Sequence, residues 1–130
     1  MGHTVLVIDD DRLIRMMLRD ILEDASFSVA EAADGAEGVA RAAELRPDLI
    51  LLDAVMPGID GYETCQQLKT GLATRDIPVI FVTGSPDGAL SQRAYALGAV
   101  ACIPKPFNPN ALLVTTHAAL APRQRRNGDE

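Results

Sequence analysis

The sequence predicts an α/β fold: a single domain in which five strand–helix units form a parallel sheet with helices on both faces. Its 130 residues suit one domain. Three short runs are apolar throughout rather than alternating, as expected of strands buried on both faces. Helical patterns separate these runs, and such alternation implies right-handed crossovers between parallel strands. The three runs span residues 5–8, 49–52 and 79–82.

Two weaker apolar runs, at residues 28–31 and 100–103, complete the predicted strands. The helices between them carry recognisable ends. The second helix stops before Pro47, the fourth closes at Gly98 as a C-cap, and the fifth opens with Asn108 as N-cap and Pro109 at its first position. The five predicted helices span residues 11–25, 35–45, 61–70, 87–97 and 108–120.

The predicted domain covers residues 3–120. The segment 121–130 has no apolar face, and we expect it to be a disordered tail or a truncated linker. Its arginines are followed by Asp129 and Glu130, and the formal net charge of the chain is −6. An acidic balance argues against binding to nucleic-acid phosphates, so we expect no nucleic-acid contact by this domain.

The cysteine spacing and the lengths of the apolar runs indicate a cytoplasmic protein. Cys65 and Cys102 have neither metal-ligand nor redox spacing, and we expect two reduced thiols rather than a disulfide. No apolar run approaches the ~20 residues that span a bilayer, so we expect no membrane contact.

Polar side chains occur at the carboxyl ends of four predicted strands. In open α/β sheets, ligands bind outside these ends, where the strand order reverses. We therefore expect residues far apart in the sequence to converge on one pocket. They are Asp9, Asp10 and Asp11 after the first strand, Asp53 at the end of the third, Thr83 at the end of the fourth and Lys105 after the fifth.

Carboxylates gathered in this way need cations nearby. Each pair would repel by ~4 kcal/mol at 4 Å and an intermediate dielectric constant. Lys105 supplies one positive charge, and a divalent ion would supply two; carboxylates and water are the ligands that Mg²⁺ prefers. We expect Asp11 to cap the first helix. A cap needs one acid, which leaves Asp9 and Asp10 as candidate metal ligands.

Asp53 is the candidate nucleophile. Carboxylates attack phosphoryl groups and form acyl phosphates. Phosphoryl transfer depends mainly on charge neutralisation and positioning, which a metal on one side and Lys105 on the other would provide. Thr83 could donate its hydroxyl to a phosphoryl oxygen; the alternative is a strand residue without a task.

These motifs together resemble the receiver domain of two-component response regulators, over residues 3–120. Each motif follows the expected strand. They are Asp9-Asp10-Asp11, Leu49-Ile50-Leu51-Leu52-Asp53 with Met56-Pro57-Gly58 and Asp60-Gly61, Val82-Thr83-Gly84, Gly98-Ala99, and Lys105-Pro106-Phe107.

The resemblance implies a flavodoxin-like fold with strand order 2-1-3-4-5. Asp53 would accept a phosphoryl group from a phosphohistidine of a histidine kinase or a histidine phosphotransfer protein, and Thr83 and Lys105 would hold it. Mg²⁺ would be bound by the side chains of Asp10 and Asp53, by the backbone carbonyl of Val55 and, through water, by Asp9. The protein would promote its own phosphorylation and would not be a conventional enzyme.

The resemblance also implies an output surface formed by the fourth helix, the fifth strand and the fifth helix. Phosphorylation would shift a two-state equilibrium at this surface. The surface would bind a downstream protein or a fused output domain, or form a homodimer. The stretch 71–78 resembles receivers joined to sensor kinases or nucleotide cyclases.

One position departs from the family pattern. Cys102 stands three residues before Lys105, where the family has a Tyr or Phe that rotates on activation. Tyr95 in the fourth helix could compensate, or it could serve only in helix packing. Val55 and Ser85 stand where the family flanks the path of the hydrolysing water; Val55 cannot orient a water, so we expect slow to moderate self-dephosphorylation.

Three alternatives use the same fold class. A protein-interaction module that needs no phosphorylation is favoured only by the missing aromatic at Cys102. A magnesium phosphatase would need a second acid two residues after Asp53, where Val55 stands. A flavin-binding protein would need a loop rich in Ser and Thr after the first strand, where three aspartates stand instead.

Overall fold

The computed structural model describes residues 2–84 and 88–129, and the side chains of 88–90 and 121–129 lie outside that description. Strands and helices alternate along the chain, as predicted. In chain order they are β1 Thr4–Ile8, α1 Arg12–Asp24, β2 Ser28–Ala32, α2 Gly35–Leu45, β3 Leu49–Leu52, α3 Gly61–Thr70, β4 Val79–Thr83, α4 Gly88–Ala96, β5 Ala101–Pro104 and α5 Pro109–Asp129.

The five strands form one parallel sheet in the order β2-β1-β3-β4-β5. This confirms the predicted fold class and strand order. The order reverses between β1 and β3, where Ile8 pairs with Leu52. Further along the same sheet, Thr83 at the end of β4 pairs with Pro104 of β5. The residues that follow these strand ends are therefore brought to one edge.

The central strands are buried on both faces. Alternate residues of β1 enter two apolar clusters: Leu6 and Ile8 pack with residues of α2, α3 and α4, and Val5 and Val7 pack with residues of α1 and α5. Because each face needs apolar side chains, a run without alternation is the pattern of such a strand. In the described part of the chain, no helix has the length and apolar character of a membrane span.

The helix ends agree closely with the sequence. The bounds of α2 and α3 are those predicted. Asp11 caps α1, since its side chain accepts hydrogen bonds from the amides of Leu13 and Ile14 at 2.9 and 3.4 Å. Gly98 adopts a φ of +106° after α4, a conformation in which glycine carries no Cβ penalty. The predicted first residue of α4, Asp87, lies outside the described residues.

The end of α5 differs from the prediction. The helix runs to Asp129, nine positions beyond the predicted end at Leu120. The sequence loses its apolar face there, and the three arginines of the segment, which have good helix propensity, stand beside Pro122 and Gly128, which have the lowest. The backbone of 121–129 is thus helical where an irregular tail was expected. The assignment of 121–130 as a linker remains a prediction.

An ion-pair network joins α1 to the edge strand β2. Glu31 accepts from Arg15 Nε at 2.9 Å and from Arg19 Nε at 2.7 Å, and Arg19 also pairs with Glu23 at 2.7 Å. Burial opposes ionisation of Glu31, but the hydrogen bonds from Arg19 and Arg15 outweigh it and lower the pKa of this carboxyl.

The lowered pKa gives a pH-dependent prediction for Glu31→Gln. An acid with a lowered folded-state pKa stabilises the fold above its unfolded pKa, and this contribution is lost as the pH falls through the folded value. We expect the variant to lose about 0.5–1 kcal/mol of unfolding free energy at neutral pH, since the pairs are partly exposed. The deficit should shrink as the pH falls below the unfolded pKa of about 4.3 and vanish only below the lowered folded-state pKa. Urea titrations across the pH range measure it, with exposed Glu44→Gln as control; a deficit independent of pH would contradict the ion-pair account.

Candidate functional site

Three carboxylates meet at the carboxyl end of the sheet. Oxygens of Asp9, Asp10 and Asp53 lie within 4.8 Å of one another. Asp9 and Asp53 are only 2% and 7% exposed, whereas Asp10 is open to solvent. The two buried residues follow β1 and β3, and the amide of Asp53 donates to the carbonyl of Ile8 at 3.0 Å. Adjacent strands thus bring together acids that are 44 positions apart in the chain.

Lys105 extends into this cluster from the end of β5. Its Nζ lies 2.9 Å from Asp9 Oδ2 and 3.4 Å from Asp53 Oδ1. Its backbone amide donates to the carbonyl of Thr83 at 2.9 Å, and the peptide bond to Pro106 is cis. The lysine therefore bridges the two buried carboxylates and lies closer to Asp9.

Thr83 completes the convergence. It is the last residue of β4, is 4% exposed, and lies beside Lys105 through the backbone hydrogen bond between them. A Cβ placed on the next residue, Gly84, would meet no other atom within 4 Å. The chain therefore leaves space beside Thr83. Ser85 lies outside the described residues.

The electrostatics of Asp53 reflect its crowded surroundings. Burial raises the pKa of this carboxyl and the negative charge of Asp9 adds to the effect, while Lys105 and the backbone amide of Val55 oppose it. Burial would lower the pKa of Lys105, but the hydrogen bond and charge of Asp9, together with Asp53, raise it above its usual value. The cluster remains short of positive charge.

The donor set fits a hard divalent cation. Three carboxylates are paired with one lysine in the described residues, which leaves two negative charges, and all the candidate ligand atoms are oxygens. A cation held by these carboxylates would offset the burial and the charge of Asp9 that raise the pKa of Asp53. The predicted ligand from Val55, its carbonyl, remains a prediction; its side chain is 74% exposed at the rim of the site.

Two residues that support the site were missed in the sequence. A Cβ on Gly61 would collide with the backbone carbonyl of Asp53, and the amide of Gly61 donates to Ala54 at 2.9 Å. Arg15 donates from Nη1 to the carbonyl of Asp9 at 2.7 Å. The sequence analysis gave Gly61 only as a helix start and part of a motif and assigned no role to Arg15, because neither backbone contact leaves a pattern in the sequence.

The position that departs from the family pattern has a neighbour on α4. Cys102 is half-buried in β5 and pairs in register with Phe81 of β4. Tyr95 is 50% exposed, and its phenol interacts with both the thiol and the backbone of Cys102. Burial raises the pKa of the Tyr95 phenol, and the Cys102 side chain acts in the same direction. An aromatic ring is thus present beside position 102, on a different element.

A family model and curated relatives with similar sequences show what kind of domain this chain is similar to. The family model described as response regulator receiver domain matches residues 5–117. The transcriptional regulatory protein ResD of Bacillus subtilis is 38% identical over 89% of this chain and 47% of its own length. The DNA-binding response regulator MtrA of Mycobacterium tuberculosis is 35% identical over 100% of this chain and 54% of its own length. The chain spans about half the length of these curated relatives.

Solved structures agree with the sequence comparison. The chemotaxis protein CheY4 of Vibrio cholerae has a TM-score of 0.88 and 34% identity, covering 92% of this chain and 100% of that one. The signal receiver domain of a modulated diguanylate cyclase from Desulfovibrio desulfuricans has a TM-score of 0.86 and 31% identity, over 97% and 99% of the two chains.

The close approach of α3 to the site predicts the effect of Gly61→Ala. The added methyl must displace the backbone around Asp53, and overpacking of this kind typically costs ~1–3 kcal/mol. We expect a lower melting temperature together with weaker Mg²⁺ binding, measured by thermal denaturation with and without Mg²⁺. Gly84→Ala is the matched control, since its methyl meets open space. Equal losses in the two variants would rule out the proposed contact as the cause.

Proposed function

Because the chain belongs to the response regulator receiver family, whose general function is phosphorylation-driven switching, we propose that Asp53 is the phosphoacceptor. The donor is a phosphohistidine of a histidine kinase or a histidine phosphotransfer protein, and the reaction depends on Mg²⁺. One observation carries the proposal: the Asp53 carboxylate is buried between Lys105 Nζ at 3.4 Å and the carboxylates of Asp9 and Asp10.

The transfer forms one bond and breaks one. An oxygen of ionised Asp53 attacks the phosphorus, and the bond from phosphorus to the imidazole nitrogen breaks with its electron pair returning to the imidazole. Lys105 leaves Asp53 to contact a phosphoryl oxygen, and Thr83 donates its hydroxyl to another. A Mg²⁺ ion held by Asp10, Asp53 and the Val55 carbonyl, with Asp9 reached through water, would neutralise charge on the phosphoryl group.

The wider role is proposed on the same basis. The domain acts in the cytoplasm and is itself the modified species rather than a conventional enzyme. Its net charge of −6 gives no support for direct contact with DNA by this domain. MtrA is a DNA-binding response regulator, but this chain covers only 54% of its length. The output of this protein is therefore a partner protein or a further domain.

The phosphoacceptor is tested with acetyl phosphate and Mg²⁺, followed by intact-mass and peptide mass spectrometry. We expect a gain of one phosphoryl group on Asp53, which is lost in Asp53→Asn and in EDTA. Asp20→Asn, on the exposed part of α1, is the matched control and should be phosphorylated like wild type. No gain with either acetyl phosphate or a cognate kinase would favour the phosphorylation-independent interaction module instead.

We place the output of the switch at the face formed by α4, β5 and α5, where Tyr95 takes the part of the missing aromatic. Its phenol interacts with position 102, and backbone hydrogen bonds connect β5 to Thr83. Movement of Thr83 towards a phosphoryl group would disturb this contact between α4 and β5. A helix-packing role alone would leave Tyr95 insensitive to phosphorylation.

Activation at this face predicts a specific effect of Tyr95→Ala. We expect phosphorylation of Asp53 to proceed at a rate close to wild type, because Tyr95 lies outside the acid cluster. The change that beryllium fluoride and Mg²⁺ induce in the amide resonances of α4 and β5 should shrink. NMR spectra of wild type and variant measure this, with exposed Gln92→Ala as control. If the resonance changes in α4 are as large in Tyr95→Ala as in wild type, Tyr95 has only a helix-packing role.

The lifetime of the phosphorylated state forms the next prediction. Val55 presents an exposed apolar side chain at the rim of the site, and it cannot orient a water for attack. We expect Val55→Asn to hydrolyse the acyl phosphate faster, by about tenfold, which corresponds to ~1.4 kcal/mol in the barrier. Decay of the phosphorylated protein after removal of acetyl phosphate measures this. Val55→Ala should decay at the wild-type rate, and a Val55→Asn variant that decays no faster would contradict the assignment.

A further inference from the structure

A charged side chain from α1 lies directly behind the acid cluster. Arg15 is only 15% exposed, and its guanidinium makes two separate contacts: Nη1 donates to the backbone carbonyl of Asp9 at 2.7 Å, and Nε donates to Glu31 Oε1 at 2.9 Å. Glu31 lies on the edge strand β2 and fixes the position of the guanidinium. Arg15 therefore connects the cluster to a strand that contributes no acid to it.

The contact with the Asp9 carbonyl has a consequence for the next residue. The carbonyl of Asp9 and the amide of Asp10 belong to one planar peptide unit, so a hydrogen bond that fixes the oxygen also fixes the direction in which the chain enters Asp10. Asp9 is already held at its amide, which donates to Ala32 at 3.1 Å, and at its side chain, which pairs with Lys105. The Arg15 contact fixes the third polar group of this residue.

The orientation of the Asp10 carboxylate depends on this peptide more than the orientation of the Asp9 or Asp53 carboxylate does. Asp53 and Asp9 are buried and are held by Lys105, whereas Asp10 is exposed and stands at the turn between β1 and α1. The preceding peptide plane sets the direction in which the chain enters Asp10 and so helps its carboxylate to face the other two.

We propose that Arg15 is a positioning residue for the cation site: through the Asp9 carbonyl it aims the Asp10 carboxylate at the metal. The inference rests on the proposed function in that the cation is the one needed for phosphorylation. Arg15 touches neither the phosphoryl group nor the metal, and its effect appears in cation affinity. Loss of a residue that orients a metal ligand typically weakens affinity about 10–100-fold.

Arg15→Gln is tested against Arg19→Gln. Both arginines lie on α1 and bond the same Glu31, but the hydrogen bonds of Arg19 run to Glu31 and Glu23, away from Asp9. The first readout is thermal stability by far-UV circular dichroism as Mg²⁺ is added at constant ionic strength. We expect both variants to melt lower in EDTA, and only Arg15→Gln to need about tenfold more Mg²⁺ for half its stabilisation.

The second readout separates affinity from chemistry. Phosphorylation of Arg15→Gln by acetyl phosphate should recover the wild-type rate at saturating Mg²⁺, because the variant lowers occupancy and not the reactivity of Asp53. Arg15→Lys covers the case in which the glutamine variant fails to fold; its single ammonium cannot serve the carbonyl and Glu31 in the same geometry, and we expect an intermediate Mg²⁺ midpoint.

The outcomes are distinct. Equal Mg²⁺ midpoints for Arg15→Gln, Arg19→Gln and wild type would overturn the inference and leave Arg15 as part of the α1–β2 ion-pair network. Absence of any Mg²⁺ effect on wild type would overturn it as well. A wild-type protein that binds Mg²⁺ with a midpoint sensitive to Arg15, but gains no phosphoryl group on Asp53, would support the inference while refuting the proposed function.

Discussion

Two carboxylates lie buried side by side at the carboxyl end of the sheet, and the rest of the site is arranged around their repulsion. Removing an ionised carboxylate from water costs several kcal/mol even after relaxation, and a second one nearby adds to the cost. Asp9 and Asp53 share Lys105, whose Nζ lies 2.9 and 3.4 Å from their oxygens. Backbone amides of Asp11 and Val55 also donate to this pair. The remaining negative charge makes the site receptive to a divalent cation.

The sheet creates this constraint through its strand order. The chain adds β2 on one side of β1 and β3 on the other side. The helices that follow β1 and β3 therefore diverge at this point of the sheet. The crevice between them holds the acids. Its walls are set by close backbone packing, most tightly where Gly61 lies against the Asp53 carbonyl. Lys105 and Thr83 arrive from the next two strands through the hydrogen bond between them.

The proposed output face is built differently from the acid cluster. The acid cluster has the residue types that the resemblance to receiver domains predicted, namely Asp9, Asp10, Asp53 and Lys105. At the proposed output face, a small side chain at Cys102 lies beside a large one at Tyr95, so an aromatic ring is present on α4 and not at position 102 of β5. The residue types at the strand ends are restricted by charge and distance. In a contact between a helix and a strand, the large side chain can belong to either element.

The sequence by itself determined the fold class, the element bounds to within one residue except at the end of α5, and the convergence of Asp9, Asp10, Asp53, Thr83 and Lys105. Uninterrupted apolar runs have few other uses than doubly buried strands, and reactive side chains placed after such strands must meet at one edge. Only the tertiary structure decided the contacts of Arg15 and Gly61, because both partners are backbone carbonyls, which every residue carries and no pattern marks. It likewise decided the pairing of Tyr95 with Cys102, which depends on how α4 packs against β5. The end of α5 was missed because the segment after Leu120 has no apolar face and contains Pro122 and Gly128, so neither packing nor propensity marks it as helix.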